Sequence, residues 1–363
     1  MMKSISTWKQ ELTKGAHAAR LAALYCCTPD ETPAQAARYA AVLDGLETTF
    51  GAHTEAGLYS APGRTEIGGN HTDHNNGVVI AAAVNLDIIA VVAKNDENVV
   101  RVISHGFGKI DDVNLRDLTP QPVEAEHSAS LIRGVAAGIV KDGGKVGGFD
   151  CYTTSDVLGG SGLSSSAAFE VCMGAIFRGE YNDNDMKRFD QVKNAMISQY
   201  AENVFFGKPC GLMDQTACAV GKVITIDFKE VGHPVVREVP FDLAAKGFAL
   251  CISDTKGSHA DLTDDYAAVR REMESVAEFF GKKVLRDVDE ETFLKAIPEV
   301  RKVTGDRAVV RAIHFYNDSR RAGEIYEAIK ADDFDRFLQL IIEGGHSSFE
   351  FNQNCLLYTS PSP

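Results

Sequence analysis

Hydrophobic side chains recur at helical spacing along several stretches of the 363-residue chain. Val42, Leu43 and Leu46 follow Tyr39 at three, four and seven positions, and this spacing predicts a helix over 33–50. The apolar positions also predict helices over 131–140, 186–206 and 269–280 and a mainly helical C-terminal part. Within 186–206, the predicted apolar face consists of Phe189, Val192, Met196, Tyr200 and Val204.

Other apolar runs are better explained as strands. The run 78–93 is interrupted by Asn85 and Asp87 and is shorter than the roughly 20 residues of a membrane-spanning helix, so it predicts two strands, 78–84 and 88–93. Further strands are predicted at 99–103, 149–154, 223–228 and 248–252. Because strands and helices are mixed rather than strictly alternating, the pattern favours an α+β fold. At roughly 100–200 residues per domain, the length suggests two domains.

Composition and charge argue against several classes of protein. The formal net charge of −14 argues against a nucleic-acid-binding surface, because such a surface needs clustered Lys and Arg. The first 30 residues contain no apolar stretch behind a basic start, so we expect neither a signal peptide nor membrane association. The eight cysteines show no Cys-x-x-Cys pair and no zinc-finger spacing, which indicates reduced thiols in a cytoplasmic protein.

A glycine- and serine-rich segment follows the predicted strand 149–154. Residues 159–168 read Gly-Gly-Ser-Gly-Leu-Ser-Ser-Ser-Ala-Ala and precede a predicted helix that extends to about residue 177. Glycines let the backbone approach a ligand, serines cap a helix, and the N–H groups of a helix start attract an anion. The segment is neither a Walker A sequence nor a dinucleotide-binding fingerprint. A plain turn is the alternative, but the small, polar surface favours a phosphate-binding loop.

A second polar segment precedes the predicted strand 78–84. Residues 61–77 read Ala-Pro-Gly-Arg-Thr-Glu-Ile-Gly-Gly-Asn-His-Thr-Asp-His-Asn-Asn-Gly. A simple surface loop is one interpretation. The other is a loop that binds a polyol, because a sugar needs several oriented donors and acceptors held close to the backbone.

Together these segments resemble the galactokinase family, within the larger GHMP group that includes homoserine, mevalonate and phosphomevalonate kinases. Residues 63–77 resemble the galactokinase signature, and 160–167 resemble the ATP loop of the larger group. Glu202 with 207–215, Gly-Lys-Pro-Cys-Gly-Leu-Met-Asp-Gln, is a third match, and His259, Tyr266 and Arg270-Arg271 form a fourth. The matches occur in family order from about residue 20 to about residue 354.

The resemblance implies a two-domain GHMP-kinase fold of the α+β class with its active site in the interdomain cleft. It places an N-terminal domain over 1–243 and a partial C-terminal domain over 244–355. The implied reaction is phosphorylation of α-D-galactose by ATP and Mg²⁺ at the anomeric hydroxyl, giving galactose 1-phosphate. We expect a cytoplasmic monomer that binds ATP and a monosaccharide.

The resemblance also assigns roles to residues. Asp214 is implied as the general base, and Arg64 as the group that keeps it ionised and stabilises the transferred phosphoryl group. The implied sugar contacts are Asn70, His71, Asp73 and Tyr266. The implied ATP-binding residues are Gly159, Gly160, Ser161, Gly162, Leu163, Ser164, Ser165 and Ser166. Ser166 and Glu202 match the magnesium ligands of the family, and Mg²⁺ takes few protein oxygens of this kind.

The signature departs from the family pattern at three positions. Asn70 stands where the family usually has Glu, Glu66 replaces Asn, and His74 replaces Tyr. A related sugar such as N-acetylgalactosamine, arabinose or a uronic acid is therefore an alternative acceptor. A non-catalytic sensor of galactose and ATP is another alternative, although a sensor would be expected to lose part of 164–168 or Asp214.

The end of the chain departs more strongly. A third glycine-rich motif of the family is missing, and the residues from 356 to 363 do not resemble the family. We therefore expect a C-terminal truncation with a non-native tail over 356–363, and lower stability or activity than in a full-length relative.

Overall fold

The structure is a computed structural model that describes residues 2–157, 159, 162–252 and 263–353, without the side chains of 263, 264 and 266. The predicted tail 356–363 lies outside the described residues. By its contacts the chain divides into two compact units, Met1–Arg64 with Ala83–Gly221 (unit 1) and Thr65–Ala82 with Lys222–Pro363 (unit 2). This division differs from the contiguous domains 1–243 and 244–355, which stay a prediction.

Strands and helices both contribute to unit 1, as expected for the α+β class. Strands with residues in this unit are β1 (Lys3–Ser4), β2 (Glu55–Gly68), β3 (Val78–Lys94), β4 (Val99–Ser104), β5 (Asp111–Asn114) and β6 (Phe149–Ser155), in the order β1-β2-β3-β6-β4-β5. The β3–β6 pair is antiparallel with Ile88 opposite Ser155, and the β4–β6 pair is parallel with Val100 opposite Phe149. The helices are α1 (Ile5–Thr13), α2 (Ala18–Tyr25), α3 (Thr32–Phe50), α4 (Ser128–Lys141), α5 (Ser165–Tyr181), α6 (Gln191–Tyr200) and α7 (Met213–Val220).

The sequence prediction of two strands over 78–93 is wrong, because β3 is continuous. Asn85 is exposed and can remain in the strand without a cost of burial. Asp87 is only 2 % exposed, but its carboxylate accepts hydrogen bonds from Tyr25 at 2.6 Å, Arg38 at 2.8 Å and Ser60 at 2.5 Å. A buried charge is tolerated when it is paired in this way, so the polar residue does not end the strand.

The helix predicted over 186–206 is shorter and has a different buried face. Helix α6 begins at Gln191, and after Tyr200 the chain continues as a π-helical turn, Ala201–Phe206. In the predicted apolar face, Val204 is 48 % exposed, whereas the small residues Ala195 and Ala201 are fully buried.

Glycines of α4 allow α6 and the π-helical turn that follows it to approach closely. A Cβ atom added at Gly134 would lie 2.6 Å from Cβ of Ala201 and 2.7 Å from its Cα, and one added at Gly138 would lie 2.8 Å from Ile197. The two segments therefore approach closely where α4 has glycine, and hydrophobic periodicity does not identify such a contact.

Unit 2 combines a short sheet with long helices. Its strands are the first part of β3 with β7 (Val223–Asp227) and β8 (Val235–Glu238), all antiparallel, with Val78 opposite Asp227. Its helices are α8 (Thr263–Phe279), α9 (Glu290–Thr304), α10 (Asp306–Lys330) and α11 (Phe334–Ser347), and a π-helical turn, Ser348–Asn352, follows α11. The predicted helices 33–50 and 269–280 are confirmed, and their periodic residues Leu43 and Met273 are fully buried.

The strand predicted at 248–252 is not formed. Phe248, Leu250 and Ile252 are 47 %, 53 % and 45 % exposed. Within the part of the chain that the structure describes, no strand pairs with this segment, and an extended segment without a hydrogen-bonded neighbour does not become part of a sheet.

Candidate active site

The predicted phosphate loop ends at the start of α5. Helix α5 begins at Ser165, and Gly162 and Ser164 both have positive φ, +76° and +59°. A serine in this left-handed region is uncommon, and such backbone strain concentrates at functional sites. The N–H groups of the first turn of α5 are suited to an anion. Gly160 and Ser161, two of the predicted ATP-binding residues, lie outside the described residues.

Strand β2 lies directly against this loop. The backbone N–H of Arg64 donates to the carbonyl of Leu163 at 3.1 Å, and the Leu163 side chain is buried in the core of unit 1. A Cβ atom at Gly63 would lie 2.9 Å from the same carbonyl, so this position requires glycine for the close approach. The loop is thus fixed to the sheet at the residue that precedes Ser164.

Arg64 and Asp214 form a bidentate ion pair beside the loop. The guanidinium Nε donates to Oδ1 of Asp214 at 2.9 Å and Nη2 donates to Oδ2 at 2.8 Å, a geometry in which two parallel hydrogen bonds fix both groups. Arg64 Nη1 also donates to the Gly162 carbonyl at 2.5 Å, and the Ser164 hydroxyl donates to Asp214. The two predicted catalytic residues are therefore in contact with each other and with the loop.

The surroundings of Asp214 favour its ionised form. Burial alone would raise the pKa of this carboxyl, but the Arg64 charge and the hydrogen bonds from Arg64 and Ser164 outweigh burial and hold the pKa below its usual range. Asp214 also lies in the first turn of α7, where the helix dipole stabilises a negative charge. Because 34 % of its side chain remains exposed, a substrate hydroxyl can reach the carboxylate.

The two predicted magnesium ligands are also neighbours. The Ser166 hydroxyl donates to Oε1 of Glu202 at 3.3 Å, and Nζ of Lys208 lies 3.6 Å from the same oxygen. Glu202 lies on the π-helical turn that follows α6, and such turns are frequent at functional sites. A hydroxyl and a carboxylate are the hard oxygen ligands that Mg²⁺ prefers, and the ion completes its shell with water and phosphate oxygens. The donor set therefore fits Mg²⁺ with a bound nucleotide.

Two further polar side chains accompany this pair, and the sequence interpretation gave neither of them a role. The Gln215 amide donates to Glu202 at 2.8 Å and to Glu170 at 3.3 Å, and both Gln215 and Glu170 are fully buried. Burial and the neighbouring Glu202 carboxylate raise the pKa of Glu170 and so favour its neutral form. The four-residue spacing from Ser166 to Glu170 on one helix is the signal that could have identified it.

Three of the predicted sugar contacts, Asn70, His71 and Asp73, lie together in a compact turn of unit 2. The Thr72 hydroxyl donates to the Gly69 carbonyl at 2.8 Å, and the N–H of Gly77 donates to the Thr72 carbonyl at 2.9 Å. Gly69 has φ of +91°, and a Cβ atom there would lie 2.4 Å from the Val78 carbonyl, so only glycine fits.

Asn70 and His74, two of the positions that depart from the family signature, have different surroundings. The Asn70 side chain donates to Ser348 at 2.7 Å. Burial and the positive charge of nearby groups lower the pKa of His74 to about 3, so His74 is neutral. The side chain of Tyr266 lies outside the described residues, so its predicted sugar contact stays a prediction.

The sequence matches galactokinases and the larger GHMP kinase group. Residues 46–94 match the galactokinase galactose-binding signature, and residues 130–222 match the GHMP kinase N-terminal domain. A galactokinase of Actinobacillus pleuropneumoniae is 35 % identical over 294 residues, which cover 79 % of this chain and 72 % of that protein. A galactokinase of Streptomyces coelicolor is 31 % identical over 313 residues, which cover 84 % and 77 %.

Solved structures share the fold. The structure of Lactococcus lactis galactokinase complexed with galactose matches with a TM-score of 0.71 at 19 % identity, over 87 % of this chain and 80 % of that one. The structure of L. major mevalonate kinase in complex with R-mevalonate matches with a TM-score of 0.51 at 14 % identity, over 81 % of this chain and 76 % of that one. The fold is thus that of the GHMP kinases, and the chain belongs to the galactokinase family.

Proposed function

We propose that this protein transfers the γ-phosphoryl group of ATP to the anomeric hydroxyl of α-D-galactose, giving galactose 1-phosphate and ADP. The observation that carries the proposal is the bidentate Arg64–Asp214 pair beside the glycine–serine loop. Phosphoryl transfer needs mainly positioning and charge stabilisation, and this arrangement provides an ionised base, a cation and a phosphate-binding helix start at one place.

In the proposed mechanism, Asp214 accepts the proton of the anomeric hydroxyl as its oxygen attacks the γ-phosphorus. The bond between the γ-phosphorus and the bridging oxygen breaks, ADP leaves, and the proton is released to solvent after the reaction. Arg64 keeps Asp214 ionised before the transfer and stabilises the negative charge of the phosphoryl group during it. Gly159, Gly162, Ser164 and Ser165 bind and orient the phosphates, together with Gly160 and Ser161.

Ser166 and Glu202 would hold Mg²⁺ in this proposal. The ion would neutralise charge on the β- and γ-phosphates when it is bound. Gln215 donates to the second oxygen of Glu202 and so fixes the orientation of that carboxylate.

On the sugar side, Asn70, His71, Asp73 and Tyr266 would recognise the hydroxyl groups. A site that hydrogen-bonds one epimeric hydroxyl can reject the other epimer strongly, because the mismatch leaves buried polar groups without partners. We assign the discrimination of galactose from glucose to Asp73.

We also propose that the protein works as a monomer in the cytoplasm. The seven cysteines within the described residues are all free thiols, which suits a reducing compartment. Among the described helices, none is long and apolar enough to cross a membrane. Light scattering coupled to gel filtration would contradict the monomer if it gave twice the mass of one chain.

An ADP-release assay with galactose, glucose, N-acetylgalactosamine and arabinose tests the function. We expect turnover with galactose and none with glucose, and an Asp214→Asn variant as the matched control should turn over galactose at least about 100-fold more slowly. Turnover with another sugar in preference to galactose would identify that sugar, and not galactose, as the acceptor. ATP and galactose binding without turnover in the wild-type protein would refute the kinase function.

A further inference from the structure

Asn70, one of the three positions at which this chain departs from the usual signature, is held on three sides by the C-terminal helices of unit 2. Its backbone N–H donates to Oδ2 of Asp318 at 2.6 Å, and its carbonyl accepts from Nε2 of His314 at 2.7 Å. Its side-chain amide donates to Ser348 at 2.7 Å. The preceding N–H, that of Gly69, also donates to Oδ2 of Asp318, at 3.1 Å.

The hydrogen bonds of His314 fix its tautomer. A carbonyl oxygen can only accept, so Nε2 carries the proton that is donated to Asn70. Nδ1 lies 2.8 Å from the Ser347 hydroxyl and accepts from it when the ring is neutral. His314 is fully buried, and burial lowers its pKa, so both ring nitrogens have their partners in the neutral form.

Asp318 lies one turn further along α10, on the same helical face as His314. It is 1 % exposed, and it forms an ion pair with Arg321 through its other oxygen, Oδ1. One carboxylate oxygen is thereby left to accept the two consecutive backbone N–H groups. An ionised acceptor makes such hydrogen bonds about twice as strong as a neutral one.

From these contacts we infer that His314 and Asp318 are positioning residues that clamp the backbone of the sugar-binding turn at Asn70. His71 follows directly with φ of +56°, and Asp73 follows two residues later, so the path of the backbone at Asn70 sets where both side chains begin. The clamp fixes the turn before the sugar binds, which reduces the ordering cost of binding. This inference rests on the galactose kinase function proposed above.

The test compares four variants. His314→Leu removes the donor to Asn70, His314→Gln keeps a side-chain N–H that can replace it, and Asp318→Asn removes the charged acceptor. Tyr316→Phe is the matched control, because it removes a hydroxyl of the same helix that donates to the carbonyls of Leu285 and Val288 and not to the turn. Two quantities are measured for each variant: backbone hydrogen exchange over residues 65–77, and the dissociation constants of galactose and ATP by calorimetry.

We expect faster exchange at Gly69 and Asn70 in His314→Leu and Asp318→Asn, with a roughly 10-fold or larger rise in the galactose dissociation constant and little change for ATP. His314→Gln should recover most of both effects, and Tyr316→Phe should show neither. Unchanged exchange in Asp318→Asn, or faster exchange with unchanged galactose affinity, would overturn the clamp. If the wild-type protein itself does not bind galactose, the proposed function fails, and the sugar-positioning role fails with it, whatever the exchange data show.

Discussion

At the scale of single residues, the site depends on side chains that are held in unusual states. Ser164 keeps a left-handed backbone conformation at the start of α5, and its hydroxyl donates to Asp214. Asp214 is partly buried and yet ionised, because Arg64 offsets the cost of burial. These states favour the deprotonated base that phosphoryl transfer needs.

Replacing the proposed base tests this assignment directly. In Asp214→Asn we expect kcat to fall by about 100- to 10,000-fold, because proton transfer from the sugar hydroxyl loses its acceptor. ATP affinity should change little, since the proposed phosphate-binding residues lie in the loop and at the start of α5. Asp227→Asn, which breaks a different Asp–Arg pair with Arg286, is the control and should retain activity. A kcat for Asp214→Asn close to that of the control would exclude Asp214 as the base.

The pH dependence should respond to Arg64. The pKa of Asp214 lies below its usual range, so the carboxylate of the wild-type protein stays ionised at mildly acidic pH. The ion pair with Arg64 therefore stabilises the fold until the pH falls through that lowered pKa. In Arg64→Met, the Arg64 charge no longer offsets the effect of burial, which raises the pKa of Asp214. We therefore expect the acid limb of the kcat/KM profile to move to higher pH by about 1–3 units. Ser164→Ala, which removes only one hydrogen bond, should move the limb in the same direction but less. An acid limb that stays in place in both variants would contradict this account.

At the scale of elements, helix α4 packs closely on α6 and on the π-helical turn that follows α6. This packing positions Glu202, which lies in the turn. Gly134 allows Ala201 to approach, and Ala201 directly precedes Glu202 in the turn. A larger residue at Gly134 would collide with the backbone of Ala201, so the position of the turn depends on this close contact.

A matched pair of glycine substitutions tests this packing. In Gly134→Ala we expect a loss of about 1–3 kcal/mol in the free energy of unfolding, because the new Cβ atom meets the backbone of Ala201. In Gly323→Ala, within α10, nothing lies within 4 Å of the new atom, and the better helix propensity should add up to about 1 kcal/mol. Urea denaturation measures both. Equal stability of the two variants would show that the α4 glycine is not needed for packing.

At the scale of the whole molecule, the candidate residues are divided between the two units. Arg64, Asp214, Ser166 and Glu202 belong to unit 1, whereas Asn70, His71 and Asp73 belong to unit 2. We therefore expect the binding of ATP and of the sugar to be separable by substitution, because the candidate residues for Mg²⁺-ATP belong to unit 1 and these candidate sugar contacts belong to unit 2.

Calorimetry on two variants tests this separation. In Asp73→Asn we expect the galactose dissociation constant to rise by about 10- to 100-fold, because a charge-assisted hydrogen bond is lost, and the affinity for Mg²⁺-ATP to change little. In Glu202→Gln we expect the reverse, weaker binding of Mg²⁺-ATP with little change for galactose. Equal losses for both substrates in either variant would contradict the division.

Much of the fold and of the site could be predicted from the sequence because the signals are local. The spacing of Tyr39, Val42, Leu43 and Leu46 identified α3, and the glycine–serine loop identified the start of α5. The resemblance of ordered motifs to galactokinases identified the Arg64–Asp214 and Ser166–Glu202 pairs, which the structure brings into contact across 150 and 36 positions of the chain.

Other features depended on the tertiary structure alone. The close approach of Ile197 and Ala201 to α4 follows from the glycines of α4, and the continuity of β3 through Asp87 follows from partners on three other segments. The contacts of His314 and Asp318 with Asn70 join residues 244 and 248 positions apart. Periodicity reports only the environment of a residue along its own helix or strand, so the sequence by itself determined the elements and the reactive side chains. Packing between distant segments decided which small and polar residues hold those side chains in place.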